Sequence, residues 1–342
     1  MVFFFSLVST SIIASDRLDT NTYYFFIKHL SFIILAIILL IGFSFLNKDK
    51  LYKLSKILFF ISFFFLILVP FVGIEVKGSK RWIDLFFLPR FQPIEILKPF
   101  FIVMIASTLS LESYKNIYLK YFFIFLIILP IIILLITQPD VGQTLLITVI
   151  WFSLIFVSGI NLIFFFSFFG LVSAIISYII LFVPKFNYIQ SRLFSFIDPK
   201  SGNNYQSEKA SEAITSGGFF GKGIGEGTLN SRIPEAHTDY IISVISEEFG
   251  ILIVIFIMFI LLVFCYQVLK KINLESDNKA KLILVGSITI ILLQAFIHIG
   301  VNIRFLPTTG MTLPFLSYGG SSIIGTAILS GIILNLTKRK IN

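Results

Sequence analysis

Polar and charged side chains that could take part in chemistry gather in four short segments of a chain that is otherwise strongly apolar. Only 13% of the 342 residues are charged, whereas 57% are hydrophobic. The four segments are residues 77–98, 138–143, 234–248 and 306–322. Ionisable side chains are costly in such apolar surroundings, so clusters of this kind often mark a pathway or a functional site.

The first segment contains several cationic side chains and an oppositely charged pair, Glu95 and Lys98, three residues apart. Arg81 and Arg90 carry planar guanidinium groups and Lys98 carries a point charge, and both kinds of cation suit a pyrophosphate. Pro93 is typical of the first turn of a helix, which would place Glu95 and Lys98 on one face, close enough to pair. The segment predicts either a basic pocket for an anion or an interfacial anchor with a surface ion pair.

The third segment contains a candidate general base. Glu235, His237 and Asp239 occupy alternate positions just before an apolar run. A carboxylate at a half-desolvated helix start can have a raised pKa and accept a proton in catalysis, which makes Asp239 the candidate. The alternative is that Thr238 or Asp239 only caps the helix. A single helix over 238–270 would be about 50 Å long, so its acidic end should lie in a water-filled cavity or at the outer interface.

The other two segments have simpler structural explanations. Asp140, with Gln143 three residues later, resembles a capping box at the start of a helix. Two prolines and three glycines in 306–322 exclude a straight membrane helix and favour a broken or re-entrant segment. Ser317 and Ser321 would then lie where the last helix opens, with its N-terminal amides able to face an anion. A well-capped tight turn is the alternative.

Ten apolar runs separate or contain these polar segments. The mean hydropathy of +0.97 excludes a soluble globular protein, a disordered chain and a disulfide-stapled secreted domain. Each run is near the roughly 20 residues that cross a bilayer, and none alternates as barrel strands do. The sequence therefore predicts an all-α polytopic membrane protein with about ten transmembrane helices, forming a single domain over 1–342. The runs are 1–15, 24–46, 57–74, 93–111, 121–137, 141–159, 161–183, 240–269, 282–301 and 319–336.

The distribution of Lys and Arg predicts the orientation of these helices. With the N-terminus inside, the inner loops 47–56, 112–120, 270–281 and 337–342 hold 13 Lys and Arg in 37 residues. The outer loops, which are 16–28, 75–98, 184–238 and 302–318, hold 14 in 109 residues. Basic residues are thus about threefold denser inside, as the positive-inside rule requires. Both termini are predicted to be cytoplasmic, and one large outer loop, 184–238, joins helices seven and eight.

Several other kinds of site are excluded by the residue types. The net charge of +9 belongs to the inner face, where it meets anionic lipid, and does not indicate nucleic-acid binding. The glycine-rich stretch around Lys222 lacks the pattern of a phosphate-binding loop and is interpreted as a mobile, turn-rich loop. No spacing of His, Cys, Asp or Glu forms a zinc site. The single cysteine, Cys265, excludes an internal disulfide.

Taken together, the motifs resemble the SEDS family of bacterial cell-wall polymerases, which includes FtsW, RodA and SpoVE. They occur in family order along almost the whole chain. Ala236 and the stretch 306–310 are most similar to the division-type members. The matching residues are 78–84 (GSKRWID), Phe91, Gln92, Pro93, Glu95, Lys98, 138–140 (QPD), 234–239 (PEAHTD), 247–250 (EEFG), 313–315 (LPF) and 317–322 (SYGGSS).

The resemblance implies glycosyl transfer on lipid II at the outer face of the bacterial cytoplasmic membrane, for septal wall synthesis. By the family match, Asp239 is the base, Arg81, Arg90 and Lys98 contact the pyrophosphate, and Glu95 orients Lys98. Supporting roles fall to Glu235, His237, Ser317 and Ser321. A divalent cation, Mg²⁺ or Mn²⁺, beside the pyrophosphate is a further expectation, without a binding site evident in the sequence. The implied partners are a class B penicillin-binding protein with transpeptidase activity and other cell-division membrane proteins.

Two other functions use the same residues. A lipid II flippase or transporter would use the polar side chains as a translocation path, and a non-catalytic scaffold would recruit the transpeptidase without needing Asp239. A flippase should carry charges along the depth of several helices. The mid-helix stretches 31–46, 121–136 and 251–264 hold none, which favours a site on one side of the membrane.

Overall fold

The computed structural model describes residues 22–76, 78–85, 88–111, 117–198, 205–229 and 232–338. In these ranges the chain is a helical membrane protein. Its long helices are α1 (Thr22–Phe45), α2 (Lys48–Val72), α3 (Pro93–Leu109), α4 (Ile117–Thr137), α5 (Val141–Val157), α6 (Leu162–Phe182), α10 (Ile251–Leu274), α11 (Asn278–Asn302) and α12 (Gly320–Thr337). Three shorter helices, α7 (Asn187–Ile197), α8 (Tyr205–Gly217) and α9 (Ile241–Phe249), lie between α6 and α10.

Seven of the described helices are long and apolar enough to cross a membrane. These are α1, α2, α4, α6, α10, α11 and α12. The predicted spans 93–111 and 141–159 form α3 and α5, which have only 17 residues each. The predicted first span, 1–15, lies outside the described residues. The helical membrane fold is confirmed, while the described part of the chain contains seven candidate spans rather than ten.

The core lies among α3, α11 and α12. Helix α3 contacts α2, α11 and α12, and α12 also packs along α1. Most of α12 is buried, whereas none of the most apolar stretch of α6 is. Since both helices are apolar, this contrast separates a helix that packs against protein from one that faces lipid.

A small antiparallel sheet makes the all-α prediction incomplete. Strands β1 (Ile74–Val76), β2 (Ser79–Leu85) and β3 (Leu88–Phe91) follow one another in sheet order. Val76 pairs with Ser79 across the first turn, and Ile83 pairs with Phe91 across the second ladder. The strands satisfy backbone groups where the chain passes between two helices outside the apolar runs. They also carry Arg81 and Arg90, which belong to the predicted outer loop 75–98.

The apolar run 240–269 was predicted as one helix, and this was wrong. It divides at Gly250, which joins α9 to α10 with φ of 83° and ψ of 166°. These angles are essentially restricted to glycine. The break resolves the excess length of a single helix, because α9 is a separate element of nine residues, all but the last of which are buried.

The large outer loop contains more regular structure than its glycines suggested. Its described parts include α7, α8 and a turn that is hydrogen-bonded to α9. In that turn Lys222 N donates to Glu247 O at 2.9 Å, and the Lys222 ammonium lies 3.0 Å from a Glu247 carboxylate oxygen. Glu247 and Glu248 are therefore buried structural acids, which hold the loop against α9.

Candidate active site

A cavity of about 580 Å³ brings together side chains from every one of the four polar segments. Six of the predicted site residues line it: Arg81, Arg90, Glu95, Glu235, His237 and Asp239. The other three, Lys98, Ser317 and Ser321, do not line the cavity, and each bonds a residue in or beside its wall. Segments separated by more than 200 residues in the sequence thus form one site.

Asp239 is positioned by a tight turn that precedes α9. Thr238 N and Asp239 N both donate to Glu235 O, at 3.1 and 3.0 Å, and Glu235 adopts a left-handed conformation with φ of 58°. Helix α9 begins one residue beyond Tyr240, which is its N-cap and makes no side-chain cap bond. The alternative in which Thr238 or Asp239 caps the helix is therefore wrong. The Asp239 side chain lines the cavity instead.

The broken segment before α12 holds the turn from its other side. Ser317 Oγ donates to Thr238 O at 2.6 Å and accepts from Leu313 N at 2.8 Å. Tyr318 N donates to His237 O at 2.9 Å, and the His237 and Tyr318 rings lie edge to face at 5.7 Å. Ser317 therefore supports Asp239 through the backbone carbonyl of Thr238, the residue before Asp239.

Gly310 faces the Asp239 carboxylate directly. A Cβ built on Gly310 would lie 3.4 Å from Asp239 Oδ2, and the residue has φ of +65°. Any other side chain would be strained there and would project from this point toward the carboxylate. The glycine therefore keeps the space next to Asp239 open.

The start of α3 contributes a buried ion pair. Lys98 Nζ lies 2.7 Å from Glu95 Oε2, and both side chains are about 95% buried. Gln143 Nε2 donates to Glu95 Oε1 at 2.5 Å, and Glu95 and Gln143 both line the cavity. The predicted pairing at i, i+3 is confirmed, but the pair is internal rather than on the surface. Lys98 neutralises Glu95 and is not itself exposed to the cavity.

Arg81 is fixed by the chain that enters α5. Its guanidinium donates to Gln138 O at 3.2 Å and to Pro139 O, and it lies 3.8 Å from Asp140 Oδ1. Asp140 accepts from Gln143 N at 3.4 Å, which confirms the predicted cap of α5. Burial raises the pKa of Asp140, and the nearby Arg81 partly opposes that shift. The Gln143 side chain turns to Glu95 and does not complete a capping box.

Two further contacts complete this wall. Arg90 is half exposed and lies 3.4 Å from Asp84 Oδ2. Ser321 Oγ accepts from Gln92 N at 2.9 Å, and Gln92 Nε2 donates to Asp140 Oδ2 at 3.0 Å. Ser321 thus links the start of α12 to the residue before α3.

The sequence analysis did not predict several cavity residues as part of the site. Among them are Lys28 on α1, Gln143 on α5, Arg192 on α7 and Gln206 on α8. Arg192 is close enough to Tyr188 and Tyr240 to counteract the rise that burial causes in the pKa of each hydroxyl. One signal could have identified Arg192: on a helical wheel, α7 places Leu193, Phe194 and Ile197 on one side and Arg192 on the other.

The cavity is lined by four carboxylates, which are Glu95, Asp140, Glu235 and Asp239, and by four cationic side chains, which are Lys28, Arg81, Arg90 and Arg192. This arrangement suits proton removal beside a group that carries several negative charges. Among the described residues, no three His, Cys, Asp or Glu side chains are grouped so that they could hold a metal ion. Glu95 and Asp140 are already engaged by Lys98, Gln143, Arg81 and Gln92. The donor set in this part of the chain does not fit the expected divalent cation.

Comparison with known proteins gives a consistent result. The family model FTSW_RODA_SPOVE, described as cell cycle protein, matches residues 1–342. Three relatives are each named probable peptidoglycan glycosyltransferase FtsW. The relative from Caulobacter vibrioides is 34% identical over 80% of this chain and 70% of its own. The Coxiella burnetii relative is 34% identical over 96% and 91%, and the Borreliella burgdorferi relative is 33% identical over 98% and 92%.

Solved structures have the same fold. A structure that addresses the coordination of polymerization and crosslinking by a peptidoglycan synthase complex superposes with a TM-score of 0.76 and 23% identity, covering 98% of this chain and 96% of the other. A variant of the Thermus thermophilus rod shape determining protein RodA gives a TM-score of 0.72, also with 23% identity, covering 98% and 93%. From the full-length family match and these relatives, the chain belongs to the FtsW, RodA and SpoVE family of cell cycle proteins.

Proposed function

We propose that this protein is a peptidoglycan glycosyltransferase that polymerises lipid II into glycan strands. The observation that carries the proposal is the Asp239 carboxylate in a cavity that Lys28, Arg81, Arg90 and Arg192 also line. The relatives with the FtsW name, which match most of the chain, support the same activity and its use in cell division.

In the proposed reaction Asp239 acts as a general base. The 4-hydroxyl oxygen of the acceptor sugar attacks the anomeric carbon of the donor glycan, and the hydroxyl proton passes to the Asp239 carboxylate. The bond from that carbon to the pyrophosphate oxygen breaks with its electron pair, so undecaprenyl pyrophosphate leaves and the configuration inverts from α to β. Gly310 leaves space for the acceptor beside Asp239 Oδ2.

The cations serve the leaving group. Charge accumulates on the pyrophosphate as the glycosidic bond breaks, and fixed cations in a partly desolvated cavity stabilise that charge without reorganising. Arg81 is held in place by two backbone carbonyls, and Arg90 and Arg192 extend from β3 and α7. Lys98 acts through Glu95, which faces the cavity. Glu235, His237, Ser317 and Ser321 support the site through the turn and the α12 start.

The proposed setting is the outer face of the bacterial cytoplasmic membrane, with ten spans and cytoplasmic termini. Most cavity residues fall in or next to a segment predicted to lie outside. Asp140 lies in the short turn between the predicted spans 121–137 and 141–159, which is on the same side. A class B penicillin-binding protein would cross-link the product, and other cell-division membrane proteins would accompany it. The similar fold of a chain from a peptidoglycan synthase complex agrees with such an assembly.

Polymerisation of purified lipid II, read as glycan length on a gel, tests the proposal. Wild type and Asp239→Asn are compared together with the cognate transpeptidase. The substitution keeps the shape of the side chain and removes the base, so glycan formation should fall by about 100-fold or more. Glu212→Gln is the matched control, because Glu212 is an exposed carboxylate on α8 that does not line the cavity.

The outcomes separate the three functions. Long glycan from wild type and Glu212→Gln, with none from Asp239→Asn, supports the polymerase. Equal glycan from all three proteins would mean that Asp239 is not the base. If no protein forms glycan but lipid II crosses liposomes, the transporter replaces the enzyme. If no glycan forms and no lipid II crosses the liposomes, but the protein still binds the transpeptidase, the scaffold function replaces the enzyme.

A further inference from the structure

The outer end of α11 is tied to the backbone of Asp239 by a buried amide. Asn302 is the last residue of α11 and has no exposed surface. Its Nδ2 donates to Asp239 O at 3.1 Å and to His298 O at 2.8 Å. Its Oδ1 accepts from Ser243 Oγ at 2.7 Å. Both amide hydrogens and the carbonyl of this side chain are therefore used, which fixes its orientation.

One turn earlier, α11 holds the opposite wall of the cavity. His298 is one helical turn before Asn302, so the two side chains lie on the same face of α11. His298 Nδ1 donates to Met311 O at 2.8 Å. Met311 follows Gly310, the residue that faces Asp239 Oδ2. Asn302 thus binds the backbone at Asp239, and His298 binds the backbone at Met311. The space beside the Asp239 carboxylate lies between these two backbone segments.

We infer that Asn302 is a positioning residue for the Asp239 carboxylate, acting through the bond from its Nδ2 to Asp239 O. The inference deepens the proposed glycosyl transfer and rests on it. Asn302 does not line the cavity. Loss of its donor leaves the Asp239 carbonyl without this partner and frees the turn to shift. Displacement of a catalytic group by about 1 Å can reduce a rate by about 100-fold.

The structure offers two variants that separate positioning from ordinary stabilisation. Asn335 is also a fully buried amide near a helix end, and its Nδ2 donates to Phe43 O, Ser44 O and Leu46 O. It does not line the cavity or bond any residue that does. Asn335→Leu therefore matches Asn302→Leu in chemistry and burial. Ser243→Ala removes the partner of Asn302 Oδ1 but keeps the donor to Asp239.

The experiment measures kcat and KM for lipid II polymerisation and the thermal unfolding midpoint of each variant in detergent. Asn302→Leu should lower kcat by roughly tenfold to 100-fold, with KM within about twofold of wild type. Asn302→Leu and Asn335→Leu should lower the unfolding midpoint by similar amounts. The kcat of Asn335→Leu should stay within about twofold of wild type. Ser243→Ala should keep most of the wild-type kcat. Should Asn302→Leu fail to fold, Asn302→Ser is used, since its short hydroxyl cannot reach Asp239 O.

Three results would overturn the inference. If the Asn302 variant loses no more kcat than Asn335→Leu, or loses activity through KM alone, Asn302 is only structural. If wild type forms no glycan, the proposed function fails and this inference fails with it. Normal glycan from wild type together with unchanged kcat in the Asn302 variant rejects the positioning role alone.

Discussion

The cations around the cavity differ in what already binds them. Arg81 is occupied by two backbone carbonyls and Asp140, and Arg90 lies next to Asp84. Lys98 is paired with Glu95 away from the cavity surface. Within the described part of the chain Arg192 forms no ion pair, and its side chain is exposed where it lines the cavity. Arg192 is therefore the arginine best placed to bind an incoming anion.

From this difference we expect Arg192→Gln to weaken substrate binding. A hydrogen bond to a charged group contributes about 1.5–3 kcal/mol, so KM for lipid II should rise by about tenfold to 100-fold. Lys209→Gln is the control, since Lys209 pairs with Glu212 on α8 and does not line the cavity. Steady-state polymerisation over a range of lipid II concentrations measures both. Equal KM values for the two variants would contradict the role of Arg192.

Asp140 gives a prediction for the dependence of stability on pH. Burial raises the pKa of this carboxyl from its ordinary 3.8, so the folded protein binds its proton more tightly than the unfolded chain does. Ionisation of Asp140 therefore costs stability as the pH rises from 3.8 through the raised pKa. Asp140→Asn lacks this cost, so its unfolding midpoint should improve relative to that of wild type as the pH rises above 3.8.

Thermal unfolding of wild type and Asp140→Asn in detergent at several pH values measures this difference. The attraction between Arg81 and the ionised Asp140 is already part of the net pKa shift, which burial keeps upward. Asp84→Asn removes an exposed carboxylate that also faces an arginine, and it shows the change that any such loss produces. If the unfolding midpoint of Asp140→Asn falls relative to that of wild type as the pH rises, the prediction is refuted.

Among the elements, the division between α9 and α10 does most to shape the site. Helix α9 is buried next to α8 and directly follows the Asp239 turn, whereas α10 has the length of a membrane span. Gly250 permits the change of direction. A Cβ at this residue would lie 2.2 Å from Phe219 O, in addition to the unfavourable φ and ψ.

Gly250→Ala should therefore destabilise the protein by roughly 1–3 kcal/mol from backbone strain alone, with the clash against Phe219 adding to it. Gly170→Ala is the matched control, because Gly170 lies within α6 and a Cβ there meets no atom within 4 Å. That change should be neutral or should stabilise by up to about 1 kcal/mol. Unfolding midpoints of the two variants in detergent test the contrast. Equal midpoints would show that the break does not need glycine.

The helices were predictable because each long apolar run has one stable form in hydrocarbon, in which the backbone bonds itself. The sheet was not predictable in the same way, since β2 pairs with strands whose pattern is too short to stand out. Gly250 was visible in the sequence, but its conformation depends on contact with the Phe219 backbone. Local pattern therefore identifies the spans, and long-range contact decides where one of them divides.

At the scale of the whole molecule, the sequence predicted which residues share a side of the membrane and which near neighbours pair along a helix, but not which residues from distant segments touch. Arg81, Arg90, Glu95, Glu235, His237 and Asp239 were predicted as site residues and all line one cavity. Their motifs supplied that prediction. Arg192 and Asn302 have no motif of their own, and their roles arise only when α7 and α11 are placed beside the Asp239 turn. The roles of Arg192 and Asn302 therefore depend on contacts between segments that are distant in the sequence.

The cavity can meet lipid II only if the loops have the proposed orientation, and two serines test that directly. Ser216 is exposed at the end of α8 in the predicted outer loop, and Ser276 is exposed between α10 and α11 in a predicted inner loop. Each is changed to cysteine, almost without change of size, in a Cys265→Ala background that has no other thiol. Such thiols report which side of the membrane each loop occupies.

In sealed right-side-out membrane vesicles, a membrane-impermeant maleimide should label Ser216→Cys and should label Ser276→Cys only after detergent is added. Charged loops do not cross the bilayer spontaneously, because each buried charge costs several kcal/mol, so the labelling reports a fixed topology. The inner loop carries Lys270, Lys271, Lys279 and Lys281, which favour retention in the cytoplasm. The opposite labelling would place the Asp239 cavity inside, where it could not polymerise a substrate at the outer face.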